Sequence, residues 1–320
     1  MLYILKTALE LGLLYSLIPM ALFLSFRVLD IADLTTDGCF VFGAAVSVQM
    51  AAIGQPILGI PLAMVAGALA GFVTAFLHTK MKVPSILAGI ITNTGLYTIN
   101  LMVMGWSSNV SLLKKSTIFS MFKNIKFLGD WSSAVLTMLI VSAVCALLIN
   151  FLGTRLGLSI RATGDNIDMV RASSINPTFT ITVGLCLANA MTALSGAMVG
   201  QYQKTVDING GTGIVVIGLA CLIIGETVMG RRSVRKGAIA AIVGSIIYRI
   251  IYAVCLYTKV IPVEFLKLLT AAIVAIAIAF PALKKMAAFK KKKVLHTSGR
   301  RFEEKQSVNE IAGKEGGKDA

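Results

Sequence analysis

The chain has 320 residues, of which 56% are hydrophobic and only 14% charged, whereas soluble domains carry about 25% charged residues. So few charges cannot solvate the surface of a soluble globule. The net charge of +15 does not mark a nucleic-acid binder either: 11 of the 30 Lys and Arg residues lie from Pro281 onward, and 10 more are Arg27, Lys80, Lys82, Arg155, Arg161, Arg171, Arg231, Arg232, Arg235 and Lys236, in short loops beside apolar stretches. That is the positive-inside pattern of a membrane protein rather than a basic groove.

Taken in chain order, the apolar stretches predict an all-α, polytopic transmembrane helical bundle of about nine spans. Each approaches the roughly 20 residues that cross a hydrocarbon core of about 30 Å. The first, Ile4 to Phe26, lacks a basic leader and a small-residue cleavage site and reads as a span, not a signal peptide. Then follow Cys39 to Ile53, Ile57 to Leu77, Ile86 to Met104, Ser133 to Leu152, Phe179 to Tyr202, Ile214 to Met229, Ala238 to Tyr257 and Val263 to Phe280. The second and seventh are short and contain glycine, as broken or re-entrant helices do. Small residues such as Gly67, Gly71, Gly184, Gly196, Gly200, Gly237 and Gly244 favour close helix packing. The cysteines fall in apolar stretches without CxxC spacing and read as small hydrophobes.

The basic loops place Arg27 to Asp37, His78 to Ser85, Arg155 to Asn176, Gly230 to Lys236 and the tail on the cytoplasmic side of a cell (inner or cytoplasmic) membrane. The amino terminus then lies outside. One external loop, Gly105 to Ser132, carries Lys114, Lys115, Lys123 and Lys126. Its Ile118, Phe122 and Ile125 recur at helical spacing, which predicts an amphipathic segment on the outer interface. Asp33-Leu-Thr-Thr-Asp-Gly38 and Asp207-Ile-Asn-Gly-Gly211 each follow a long span and open a short one. With the preceding spans running oppositely, an inverted repeat with paired broken helices would produce this echo, as would chance between glycine-rich loops. Residues 1–280 are expected to form the transmembrane domain, and 281–320 a basic, disordered cytoplasmic tail suited to anionic lipid heads.

Enzyme signatures are missing. His78 and His296 are the only histidines, so neither a histidine metal cluster nor a triad can be assembled in the bundle, and no catalytic or metal residue is assigned. Gly313-Lys-Glu-Gly-Gly-Lys lacks the spacing and context of a phosphate-binding loop. The informative segment runs from Ser159 to Pro177. Gly164 is expected to break the incoming helix, and Asp165 or Asn166 to cap a short one favoured by Asp168 in its first turn, with Pro177 opening the next span. Ile167 and Val170 fall on one side of it and charges on the other. Polar groups within or at the edges of spans, namely Asp33, Asp37, Asn93, Asn100, Asn189, Gln201, Asp207 and Glu226, are the candidate solute path, and Glu10 and Arg249 are further intramembrane charges. Interhelical hydrogen bonding competes as an explanation for each. Glu226 and Arg249 are expected to neutralise one another, and Tyr97, Tyr202 and Phe42 are candidates to stack on an aromatic solute, with packing inside the bundle as the competing explanation.

Arg161-Ala-Thr-Gly-Asp-Asn, followed by Met169, Ala172, Ile175 and Asn176, resembles the coupling loop of the permease family that serves branched-chain amino-acid and ribose importers. The motifs Gly184-Leu-Cys-Leu-Ala-Asn-Ala, Gln201-Tyr-Gln and Ile224-Gly-Glu226 agree, and Leu87 to Asn100 resembles a subgroup associated with tryptophan or tyrosine uptake. The resemblance covers roughly Leu9 to Phe280 and implies an ATP-binding cassette importer with two permease chains, two ATPases and an extracytoplasmic solute-binding protein. On it, Arg161, Gly164, Asp165, Asn166, Asp168, Met169, Val170, Arg171 and Ala172 form the helix that docks on the ATPase, with Met169 and Val170 packing there. ATP and Mg would be bound by that partner and no cofactor by this chain. Arg171 stands where relatives often carry a small or acidic residue. The alternative is an ion-gradient-driven secondary transporter using Glu10, Asp33 and Glu226, which would not need the capped helix.

Overall fold

The computed structural model describes residues 2–113, 115–123, 131–230 and 233–257, with isolated positions beyond. The expected ninth span and basic tail lie essentially outside the described residues, as do Ile125, Lys114 and Lys126. Residues Met1–Val274 form one compact unit.

The chain is a polytopic helical bundle. Among the described residues, six helices are long and apolar enough to cross a membrane, and two shorter apolar ones accompany them. The first span, Ile4–Val28, is built from α1 (Leu2–Tyr15), α2 (Leu17–Leu22) and a π-helical turn at Phe23–Val28. The short helix α3 (Thr36–Ala52) leads into α4 (Pro56–Thr79) and α5 (Ser85–Val103); the strand β1 (Asn109–Ser111) and α6 (Ile118–Lys123) precede α7 (Ser132–Gly153). The connection α8 (Arg155–Asp165) and α9 (Ile167–Ala172) enters α10 (Pro177–Gln203), and β2 (Thr205–Asp207), α11 (Ile214–Met229) and α12 (Val234–Tyr257) complete the described chain. Eight of the nine predicted spans thus coincide with helices.

The axis of the bundle is α10, which at 27 residues is about 40 Å long. Its middle is buried because α3 and α4 approach it backbone to backbone. Added methyl groups at Gly43 and Gly196 would strike the Ala193 and Phe40 carbonyls, and at Gly71 the Leu185 carbonyl. The same device joins α11 to α12, where Gly225 faces Ala240 and Gly244 faces Cys221. Close approach matters because lipid supplies no hydrophobic drive for helices to associate, so tight contact and hydrogen bonds hold the bundle. Several hydroxyls inside the spans satisfy themselves on the preceding turn, as Thr92 does on Ala88 O at 2.9 Å, whereas Ser195 and Ser245 donate across to Leu14 O and Gly12 O of α1.

Between the first span and α3 the chain does not stay at the surface. After Val28 it turns at Asp30, which holds a left-handed φ of 55°. On either side of that turn it lies against α10, burying Leu29 before it and Ile31, Asp33 and Thr35 after it. At the opposite end β1 and β2 pair antiparallel, Val110 opposite Val206. Beside them α6 is clamped to the bundle: Ile118 and Phe119 are buried, Phe119 meets Tyr202 edge-on at 5.3 Å, and the Ile118 N–H donates to Gln201 Oε1 at 3.0 Å. The amphipathic segment expected to rest on the interface is therefore anchored into the end of α10, because its two apolar residues find a protein pocket rather than lipid.

Candidate functional site

Two polar regions occupy different depths of the bundle. The first forms where α3 and α11 begin. Asn189, at the middle of α10, donates through Nδ2 to Asp33 Oδ2 at 2.6 Å, and the other Asp33 oxygen accepts from Thr35 N at 2.9 Å. The Asn189 carbonyl accepts a weak bond from Cys39 Sγ at 3.3 Å, so α3 starts at mid-bundle. There Asp37 lies against the amino terminus of α11 and accepts from Gly213 N and Val215 N, both at 2.9 Å. The first-turn amides of a helix are otherwise orphaned, and a carboxylate both satisfies them and complements the helix dipole. Two short helices thus meet start to start. They are the two that the Asp33–Gly38 and Asp207–Gly211 echo pointed to.

Next to Asp37 lies a cavity of about 300 Å³ lined by Asn93, Thr94, Tyr97 and Asn100 of α5, Gly38 and Val41 of α3, and Ile208, Asn209, Gly211 and Thr212 before α11. Asn100 Nδ2 donates to Gly38 O at 3.1 Å, which ties α5 to α3. Of the residues chosen from the sequence, Asp37, Asn93 and Asn100 meet here. The others do not. Asp33 and Asn189 hold each other. Gln201 bridges Ser47 Oγ and Pro56 O, each at 2.8 Å. Asp207 is an exposed strand residue whose carboxylate accepts from Asn209 N at 2.8 Å. Thr94 and Thr212 were missed; only their position beside a broken helix distinguishes them from other polar residues.

Glu226 belongs to the second region, at the end of the bundle that carries Arg27, Arg155, Arg161 and Arg171. Its oxygens accept from Arg27 Nε and Nη2, both at 2.9 Å. The expected partner Arg249 instead stacks on Tyr15, with its guanidinium carbon 3.7 Å from the ring centroid. The correction is geometric: Arg249 stands about four turns beyond the start of α12, level with Gly12 of α1, whereas Glu226 sits in the last turn of α11. The Arg27–Glu226 pair opens onto a cavity of about 380 Å³ that Arg161 and Asp165 of α8 also line. Glu10, the remaining intramembrane acid, accepts from the Tyr202 hydroxyl at 2.6 Å.

The segment α8–α9 covers this end. Helix α8 does not break at Gly164 but continues to Asp165, because Gly164 has no side chain to collide with the Val28 carbonyl it packs on. The break falls at Asn166, which adopts an extended conformation and caps α9 by accepting from Asp168 N and Met169 N at 3.0 Å. Asn176 caps α10 at Thr178 N, with Pro177 in its first turn. Thr163 and Thr180 share a hydroxyl hydrogen bond of 2.8 Å that fastens α8 to α10. Val170 packs inward at 1% exposure, so it is not on the outer surface expected of it. That surface is formed by Ile167 and Met169, 41% and 56% exposed. Arg171 pairs weakly with Asp168 at 3.6 Å, both well exposed, and Ala172 closes the helix.

Residues 4–278 match the model of a family described as branched-chain amino acid transport system, permease component. The chain is 33% identical over 265 residues to a tyrosine transport system permease protein of Clostridioides difficile (strain R20291), covering 82% of this chain and 86% of that one. It is 30% identical over 279 residues to an uncharacterized protein of Rickettsia prowazekii (strain Madrid E), covering 86% and 96%. Among solved structures, PsaBC from Streptococcus pneumoniae in complex with Fab has a similar fold, with a TM-score of 0.52 at 14% identity over 86% of this chain and 89% of that one. A broken-helix membrane bundle with a capped helix at its basic end, matched by one family over almost all of its described length, is a transport component: the chain belongs to the family of branched-chain amino-acid transport system permeases.

Proposed function

We infer that this protein is the membrane-spanning permease subunit of an ATP-binding cassette importer, moving an amino acid inward with energy supplied by a separate ATPase. The observation that carries the reading is α9: a helix capped by Asn166, backed by buried Val170, and presenting Ile167 and Met169 to solvent at the Arg-rich end. Adjacent apolar side chains held on a rigid, capped helix form a patch of the kind that a partner covers. ATP and Mg belong to that partner. The Arg-rich end lies in the cytoplasm, by the positive-inside rule, and the membrane is the cell membrane.

The solute passes the cavity at Asp37, Asn93 and Asn100. A carboxylate, two carboxamides and the Tyr97 ring provide the charge, hydrogen bonds and aromatic face that a zwitterionic amino acid requires, and the tyrosine transport relative favours that solute class. A second permease copy covers α5, whose exposed face carries Thr94, Tyr97 and Thr98 among isoleucines, polar groups that lipid tolerates poorly. The β1–β2 and α6 face receives the solute-binding protein. Against an ion-driven carrier, Asp33 and Glu226 are held by Asn189 and Arg27.

The test is to purify the tagged chain from its native membrane and ask whether an ATPase accompanies it, then replace residues 165–174 with a Gly-Ser linker. Loss of the ATPase with the bundle still monodisperse is expected; retention would remove the coupling assignment.

A further inference from the structure

We propose that α11 is the rod that carries motion from the ATPase-facing end of the bundle to the solute cavity, with the Arg27–Glu226 pair as its lower clamp and Asp37 as its upper one. The inference rests on the reading of α8–α9 as the coupling element and assigns the residues that act beyond it.

The helix is hinged at both ends. Gly213 and Gly230, which flank α11, hold φ values of 84° and 81°, the left-handed region in which a side chain is strained and glycine is not. Between them the helix is continuous, so it moves as a unit rather than bending. Its lower end is gripped by Arg27 through a two-pronged contact that fixes orientation as well as distance. The next residue, Val28, has its carbonyl in hard contact with Gly164 of α8. No compressible side chain lies between them, so displacement of α8 reaches Val28, Arg27 and Glu226 in three steps. The π-helical turn at Phe23–Val28 is a loosely wound stretch able to yield there. At its upper end, α11 is held by Asp37 through Gly213 N and Val215 N, and Asp37 lines the solute cavity. Tilting the rod therefore moves a cavity wall.

Glu226 and Arg27 are positioning residues: neither lines the cavity at Asp37. Their test uses the intact complex with its ATPase and its solute-binding protein in liposomes, with L-tyrosine as the probe solute and the readout being solute moved per ATP hydrolysed. Glu226→Gln, Arg27→Gln and the doubly neutral Arg27→Gln/Glu226→Gln are compared with the exchanged pair Arg27→Glu/Glu226→Arg. The double variant leaves no lone buried charge, which protects the fold. Hydrolysis within threefold of wild type with the transport ratio down at least tenfold in the double variant, and partial recovery in the exchanged pair, is the expected result. A folded double variant that transports at the wild-type ratio would overturn the inference. A wild-type complex that hydrolyses ATP without moving the solute would instead overturn the coupling reading, and this inference with it.

Discussion

Removing the amide at Asn189 tests the middle of the bundle, where the segment after the first span is held. Asp33 is 1% exposed, and its carboxylate has two hydrogen bonds, the shorter being 2.6 Å from Asn189. A hydrogen bond to a charged group contributes about 1.5–3 kcal/mol, and leaving a buried charge without its partner costs about 3–5 kcal/mol. Thr35 N remains as a donor in Asn189→Ala, so the loss lies between the two figures, about 2–4 kcal/mol. At about 2–4 °C per kcal/mol the melting midpoint in detergent falls by roughly 5–15 °C. Asp33→Asn removes the charge itself, so the double variant Asp33→Asn/Asn189→Ala should lose less than the sum of the single losses, by about 1.5–3 kcal/mol. The assay is thermal unfolding of wild type, both single variants and the double. Additive losses, or an Asn189→Ala midpoint within about 1 °C of wild type, would show that the pair does not hold the segment.

Further outcomes follow from other contacts. Gly196→Val places methyl groups against the Phe40 carbonyl, and overpacking of about 1–3 kcal/mol or more should lower the yield of folded protein in membranes, measured by monodispersity on gel filtration. Met169→Glu leaves the bundle's melting unchanged, because the side chain is exposed, yet lowers the amount of co-purifying ATPase at least tenfold. Asn166→Ala removes the α9 cap at about 1 kcal/mol and should weaken ATPase affinity roughly fivefold. Asn93→Leu intrudes on the 300 Å³ cavity and should reduce uptake at least tenfold with ATPase binding intact.

Span positions were legible because the bilayer imposes a length and a composition that any window of sequence displays. The cap at Asn166 and the start at Pro177 were legible for a similar reason: both depend on chemistry within three residues. Gly164 was misread since its role is tertiary; it clears the Val28 carbonyl, a contact 136 residues away. Likewise Glu226 pairs with a residue 199 positions earlier, and no local pattern separates Arg27 from Arg249 as its partner. The β1–β2 pair joins two short strands with no alternation to announce them. Within the candidate path, Asp37 stood out as an acid opening a short apolar helix, whereas Asn189 and Gln201 looked the same as Asn93 in sequence and proved to be packing groups.

The most direct measurement is accumulation of labelled solute, presented with its solute-binding protein, in liposomes holding the chain with and without its ATPase. Uphill uptake that needs internal-facing ATP and the partner, and is indifferent to an imposed proton or sodium gradient, is the predicted result. Uphill uptake by the chain alone, on a gradient and without nucleotide, would contradict the account.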